Sequence, residues 1–466
     1  MNNNDKIIDE NELLSLIDGK QPSTFEINDV LQKAAELKGL TLAETAVLLN
    51  IEDDGYLEQL FETAALIKDA IYGNRLVLFA PLYVSNYCSN NCLYCGFRKD
   101  NHNIHRIKLT PEQIIQETQE ILRQGHKRVL LLMGEHTEKS SINFLVNSIE
   151  NVYAARDEKG SSIRRINIEI APLTNDGFNI IKDISIGTYT VFQETYHRET
   201  YLKMHPDGMK SDYDFRLETM DRALSHGMHD VGIGALFGLF DYRFETLALL
   251  QHSKHLDQKF GVGPHTISIP RIKPASDAPA SINVPYAVSD RNFKKLTAVI
   301  RCAVPYTGMI LSTRETAQLR NEIFNLGVSQ ISAGSRTNPG GYKQAFSIED
   351  SIGQFSLNDT RSSGEVIDDV ISMGFIPSFC TACYRLGRVG GDFMDLAKPG
   401  LIKLNCHPNA LLTLKEYLDD YADEKTKIHG EELIKRELAN IPTDNRRKET
   451  LKKLERIAKG ERDLYF

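Results

Sequence analysis

The sequence predicts an α/β protein whose parallel sheet closes on itself, preceded by a helical cap and followed by an extension. Three observations lead there. Short apolar, β-rich runs recur eight times between residues 76 and 332. Helical patterns lie between them. The 466 residues leave room for a closed barrel of roughly 250 residues with further elements at both ends.

Residues 1–75 read as helical, with apolar residues at helical spacing around Leu13–Ile17, Val30–Leu37 and Leu57–Ile71. The strand pattern then falls on 76–80, 128–132, 166–170, 188–192, 230–234, 265–269, 309–312 and 328–332. Helical stretches between them include 111–123, 142–155, 214–226 and 316–326. Strands alternating with helices make a parallel sheet, and eight strands close a complete (β/α)8 TIM barrel over 76–337. An open doubly wound sheet is the alternative. From residue 338 the rhythm breaks at Pro339-Gly340-Gly341. The remainder, 338–466, ends in two charged helical stretches, 431–439 and 444–459, parted by Pro442.

Composition narrows the classes. Hydrophobic residues make 41% and charged residues 25%, ordinary for a globular protein. A net charge of −8 argues against a nucleic-acid partner. No apolar run approaches the ~20 residues of a membrane span, and Met1–Lys6 carries no signal pattern. The expectation is a cytoplasmic protein without a membrane.

Cysteine placement carries the chemistry. Six of the seven cysteines form two triplets: Cys88, Cys92 and Cys95 as C-x3-C-x2-C, and Cys380, Cys383 and Cys406. An odd count in clusters argues against disulfides. Three thiolates suit a 4Fe-4S cubane with one iron left open, since full ligation takes four. The alternative for the first triplet is zinc closed by His102 or His105. Cys302, amid Val299, Ile300, Ala303 and Val304, reads as a buried structural thiol.

The first triplet, with Tyr94 before its last cysteine and just after strand one, resembles the signature of the radical S-adenosylmethionine (SAM) enzymes. That resemblance implies a 4Fe-4S cluster whose open iron binds SAM and reductively cleaves it to a 5′-deoxyadenosyl radical. Met133-Gly134-Glu135 is similar to the superfamily's Gly-Gly-Glu motif, with Met in its first place, and implies contact with the SAM ammonium. The glycines of 231–238, Gly234 among them, resemble the segment that approaches adenine. Glu169 and Gln193, at the ends of strands three and four, are placed to hold ribose or substrate. Arg271, Arg314 and Ser332 lie at later strand ends, where arginines and hydroxyls suit an amino-acid carboxylate.

The segments 193–201 and 263–271 resemble those of the superfamily's aromatic-amino-acid lyases. That group includes the tyrosine lyase of thiazole synthesis and the tyrosine lyase that matures FeFe hydrogenase, the HydG family. The second triplet matches the maturase's C-terminal cluster motif, which the thiazole enzyme lacks. This resemblance implies that L-tyrosine is cleaved to p-cresol and dehydroglycine (2-iminoacetate). Dehydroglycine would then give CO and cyanide at a second 4Fe-4S cluster with an additional iron, bound by His265. The product would be an Fe(CO)2(CN) unit carried on free L-cysteine. An electron donor and a hydrogenase-maturation scaffold protein are the implied partners. The alternatives are release of 2-iminoacetate for thiamine thiazole synthesis and, in another class, a non-catalytic iron–sulfur scaffold or electron carrier.

Overall fold

The computed structural model describes residues 6–343 and 353–466. Residues 1–5, read above for a signal pattern, lie outside the described residues. Eight parallel strands close a barrel: β1 (Arg75–Ser85), β2 (Arg128–Met133), β3 (Arg165–Glu169), β4 (Thr188–Thr190), β5 (Asp230–Gly234), β6 (Thr266–Ser268), β7 (Gly308–Leu311) and β8 (Gln330–Ser332). β1 pairs with β2 on one side and β8 on the other, which closes the ring and rules out the open sheet. The predicted strands all form, and β1 is longer than predicted. Pro81 interrupts the sequence pattern, but the ladder to β2 runs past it to Ser85. The predicted 214–226 helix forms as two, Tyr213–Leu217 and Thr219–Ser225.

Four helices precede the barrel: Glu10–Ile17, Thr24–Ala34, Leu42–Leu49 and Asp54–Tyr72. Side chains of Asp9, Ser23, Thr41 and Asp53 cap their N-termini, and Ser23/Glu26 and Thr41/Glu44 are capping boxes. The fourth helix packs on Asp290–Ala303, where the Lys295 ammonium, buried at its root, donates to Leu49 O and Ile51 O. Cys302 is fully buried in that helix, as expected, and burial raises its thiol to about 12.

After the barrel the chain adds one strand that the sequence reading missed, β9 (Ile376–Ser378). It pairs with Arg75–Val77 of β1, below the point where β2 takes over that edge at Ala80. β9 has a single neighbour, and an edge strand tolerates Pro377. The helices Ala382–Arg385, Gly390–Ala397 and Lys403–Asp420 follow, then Glu424–Ala439 and Asp444–Ala458. Among the described residues no helix is long and apolar enough to cross a membrane.

Strand alternation sorts the interior into levels. Along β1, Tyr83, Pro81 and Phe79 line an upper cavity, while Val77 and Arg75 line a lower one. β2 gives Leu132 and Leu130 above and Arg128 below. β3 gives Glu169 and Asn167 above and Arg165 below. From Arg75 to Tyr83, at about 3.3 Å per residue and a tilt of about 36°, the levels span about 21 Å along the barrel axis.

Candidate active site

Loop 86–108 follows β1 and brings Cys88, Cys92 and Cys95 to one cavity at the C-terminal mouth. The loop is fixed from within. The Arg106 guanidinium donates to the carbonyls of Asn86 (2.8 Å), Phe97 (2.8 Å), Arg98 (2.6 Å) and Asn101 (3.3 Å). Asn86 bridges to His105 O and Ile107 N–H. Burial raises the Cys92 and Cys95 thiols to about 12 and about 11. Such thiols ionise when they bind a cationic centre.

Gly134, at the end of β2, forms the wall behind the triplet. A Cβ there would sit 2.4 Å from Tyr87 O and 3.2 Å from Cys88 Cβ, so only glycine lets strand and loop meet. Next to it, Glu135 accepts from the Asn90 amide at 2.5 Å. Across the cavity, Glu194 accepts from Lys210 at 2.6 Å and lies 3.5 Å from Arg216. Burial would raise the Glu194 carboxyl, but these two cations outweigh it and hold it below the usual range. Glu169 lines the same cavity, and burial followed by the neighbouring Glu194 pushes its carboxyl up to about 7.

The upper barrel cavity adjoins this one through Tyr83, Leu132, Glu169, Phe192 and Gln354. Arg314 and Ser332 both line it. The Arg314 guanidinium stacks 3.3 Å from the Phe355 ring centroid, and Ser332 Oγ accepts from Thr313 N–H at 3.2 Å.

Other sequence candidates stand elsewhere. Arg271 is paired with Glu315 and Asp290 and does not line the cavity. Gln193 turns its amide to Tyr213 O, while its neighbour Glu194 faces the site. Tyr94 is buried behind the triplet against Cys92 and Met204, with its hydroxyl 2.7 Å from His205 Nε2. Gly234 lies against the Phe192 ring, which lines both upper cavities. His102 and His105, the zinc alternative's candidate fourth ligands, are exposed and line neither cavity.

At the opposite end β9 delivers Cys380, and the helices Ala382–Arg385 and Lys403–Asp420 bring Cys383 and Cys406 to a lower cavity. His265 shares this cavity. Its Nδ1 has no hydrogen-bond partner and lies 3.5 Å from Asp230 Oδ1, and the Phe393 ring packs 4.3 Å away. Burial would raise the Asp230 carboxyl, but His265, Arg165 and the Gly390 N–H bring it down to about 2. The hydrogen bond between Cys383 and Cys406 favours the thiolate at Cys406, with Arg75 and Arg388 assisting, and keeps the proton on Cys383. Among the described residues no three His, Cys, Asp or Glu groups are placed to hold a single metal ion. A cubane sets its ligands wider than one tetrahedral ion does, and the orphaned imidazole nitrogen and three thiols around the lower cavity fit such a group.

Sequence reasoning missed Asn90, Arg106, Glu194, Lys210 and Arg216 above, and Arg75, Arg128, Arg165, Asp230 and Gln330 below. Arg75, Arg128, Arg165 and Asp230 left one trace, a charged residue at the start of an apolar run, which resembles a solvated turn.

Residues 82–250 match the model of the radical SAM superfamily, and residues 268–376 match the biotin and thiamin synthesis associated domain. The 2-iminoacetate synthase of Escherichia coli (strain K12) is 32% identical over 361 residues, covering 77% of this chain and 92% of that protein. A crystal structure of the [FeFe]-hydrogenase maturase HydG is 49% identical, with a TM-score of 0.95 over 99% of this chain and 100% of that one. HydG from Carboxydothermus hydrogenoformans is 39% identical, with a TM-score of 0.82 over 96% and 97%. Superfamily membership implies a 4Fe-4S cluster and SAM, which the donor set of the mouth cavity fits. With the closed barrel and its cysteine mouth, these likenesses show that the chain belongs to the radical SAM superfamily and, within it, to the tyrosine-lyase family that includes HydG.

Proposed function

We propose that this chain cleaves L-tyrosine to p-cresol and dehydroglycine and then converts dehydroglycine to CO and cyanide. The product is an Fe(CO)2(CN) unit for [FeFe]-hydrogenase H-cluster assembly. The observation that carries this reading is the second thiol set with His265, at the far end of the same barrel interior. We keep the division into a cap (1–75), a barrel (76–337) and a cluster extension (338–466) as part of the proposal.

Cys88, Cys92 and Cys95 would hold the cluster, which when bound would supply an open iron for SAM and the electron for its cleavage to methionine and a 5′-deoxyadenosyl radical. Glu135 offers a carboxylate to the SAM ammonium, and Gly134 sets how closely β2 approaches. Lys210 and Arg216 supply positive charge for its carboxylate, while Glu194 accepts from ribose hydroxyls. In the upper cavity Arg314 and Ser332 hold the tyrosine carboxylate, and Phe192, Leu130 and Leu132 surround the ring. The closed walls keep water from the radical.

Below, Cys380, Cys383, Cys406 and His265 would hold a second 4Fe-4S cluster with its additional iron. Asp230, 3.5 Å from Nδ1, would help to orient the His265 ring. The dehydroglycine anion balances as one CO, one cyanide and one water, so this step needs no further oxidant, and two turnovers supply the unit's two CO and one cyanide with the other cyanide released. Free L-cysteine carries the iron product, an electron donor supplies the reduction, and a maturation scaffold protein receives the unit.

The test is anaerobic turnover of the reconstituted protein with SAM, dithionite and tyrosine, assaying p-cresol and trapping CO with deoxyhaemoglobin. Both products together are expected. Cresol with intact 2-iminoacetate and no CO would move the reading to the activity named for the Escherichia coli relative.

A further inference from the structure

Three arginines line the lower cavity, each more than nine-tenths buried: Arg75, Arg128 and Arg165. They are not equivalent. Arg165 is fully engaged, donating to Asn167 Oδ1 and Thr188 Oγ1 at 2.9 Å each and lying 3.5 Å from Asp230. Arg75 faces Cys406 and stacks over Tyr72. Arg128 gives one nitrogen to Cys380 O at 2.8 Å and reaches Gln330 Oε1 at only 3.4 Å. The Nε atoms of Arg75 and Arg128 are buried without a hydrogen-bond partner. Of the three, Arg165 alone has a carboxylate partner among the described residues.

A buried guanidinium without an acid is costly to the fold unless something anionic completes it. Three thiolates on a cationic iron–sulfur core would leave little net negative charge, and Arg75, which faces Cys406, is its nearer claimant. The place of Arg128 is equally specific. Gln330, its amide neighbour, lines both the upper and the lower cavity. That amide occupies the space left by Gly308, where a Cβ would come within 2.5 Å of Gln330 Nε2. A small molecule passing down the barrel therefore meets the Gln330–Arg128 pair first.

We infer that Arg128, with Gln330 and Arg75, forms a carboxylate-binding subsite at the head of the lower cavity that receives the two-carbon imino acid released above. A planar guanidinium matches a carboxylate edge in a two-point contact, and a partly bonded amide can turn to admit it. The inference rests on the proposed tyrosine cleavage for the identity of its ligand, but the subsite can be tested without turnover.

Oxamate, a two-carbon carboxylate with a planar nitrogen-bearing carbon, is the probe. Equilibrium dialysis of radiolabelled oxamate uses the reconstituted protein in an Arg314→Gln background, which removes the upper carboxylate site. The expectation is one saturable site whose affinity falls at least tenfold in Arg128→Gln. Gln330→Glu keeps the side-chain size and tethers a carboxylate beside Arg128, so it should abolish oxamate binding as well. It also serves where Arg128→Gln does not fold. With Arg314 intact, the ratio of CO plus cyanide to p-cresol should fall at least tenfold in both variants. Unchanged oxamate affinity in the variants overturns the subsite. Absence of p-cresol from the unsubstituted enzyme would instead count against the tyrosine reading, while the dialysis still reports on Arg128.

Discussion

Gly134→Ala tests whether the backbone contact behind the first cysteine triplet sets the geometry of the site. The added Cβ would lie 2.4 Å from Tyr87 O, and real Cβ contacts do not fall below 3.0 Å, so loop or strand must move by about 0.6 Å. The obstacle is backbone, one residue before Cys88, and no flexible side chain can absorb the shift. Overpacking of this kind costs about 1–3 kcal/mol, which a barrel of this size survives. Site geometry is less tolerant, because productive constellations hold to about 0.5 Å and a 1 Å error costs about a hundredfold. The expected result is near-native circular dichroism with 5′-deoxyadenosine formation reduced at least tenfold per bound cluster. Gly364→Ala is the control: its Cβ would meet only the Tyr417 hydroxyl at 3.9 Å, inside helix Ser363–Ser372. That change should raise helix stability by about 0.5–1 kcal/mol and leave deoxyadenosine formation alone. Full deoxyadenosine formation by Gly134→Ala at native iron content would refute the argument.

Arg106→Gln removes bonds to four loop carbonyls, roughly 4 kcal/mol of local order at about 1 kcal/mol each. Iron bound at the first triplet should fall by about half while the melting temperature moves little, and full iron retention would contradict this. Asp230→Asn leaves the imidazole of His265 without its carboxylate neighbour and should weaken iron retention at the lower site by about 10–100-fold. The measurement is loss of iron to a chelator, and equal rates in parent and variant would count against the role. Burial raises the Glu245 carboxyl to about 8, against about 4.3 unfolded, although it accepts from Thr195 and Tyr196 N–H. The folded chain then keeps a proton that the unfolded chain loses. This stability is fully present below about pH 4 and is lost as pH rises towards 8, by about 1.4 kcal/mol per unit. Glu245→Gln should gain in melting temperature relative to the parent between pH 5.5 and 7.5, and parallel pH profiles would show that the group is ionised in the fold.

Much of the barrel was legible because alternation and helical spacing are local signals. The cysteine loops were legible because cluster chemistry demands thiols at short spacing. What failed was information that only closure supplies. Arg75, Arg128, Arg165 and Asp230 each open an apolar run, and nothing local tells a strand start inside a covered barrel end from one in water. β9 was missed because three residues with a central proline carry no strand signal, and its pairing with β1 is a contact across 300 residues. At strand four the sequence points to Gln193, while in the structure Glu194 lines the cavity. Glu194 adopts φ +74°, a left-handed turn that redirects its side chain into the cavity and breaks strand alternation. Backbone strain of this kind gathers at functional sites and has no sequence signature in a glutamate.

The two ends of the barrel are built on different terms. Barrel enzymes place chemistry at the C-terminal mouth and leave the N-terminal face to stability, and the first triplet obeys that rule on a loop that Arg106 must brace. The lower site reverses it, using the first residues of five strands, which are held rigidly by their ladders and need no loop. That reversal requires the barrel floor to be covered, because three buried guanidiniums and a carboxylate in an open floor would fill with water and lose their mutual field. The fourth cap helix supplies Tyr72 to that floor, and the helix Gly390–Ala397 supplies Phe393. β9 then extends the β1 edge by three pairs and sets Cys380 two residues beyond the ladder. Cap and extension thus act on one site, and a change that loosens either should be felt first as altered chemistry at Cys380, Cys383 and Cys406, before the barrel itself melts.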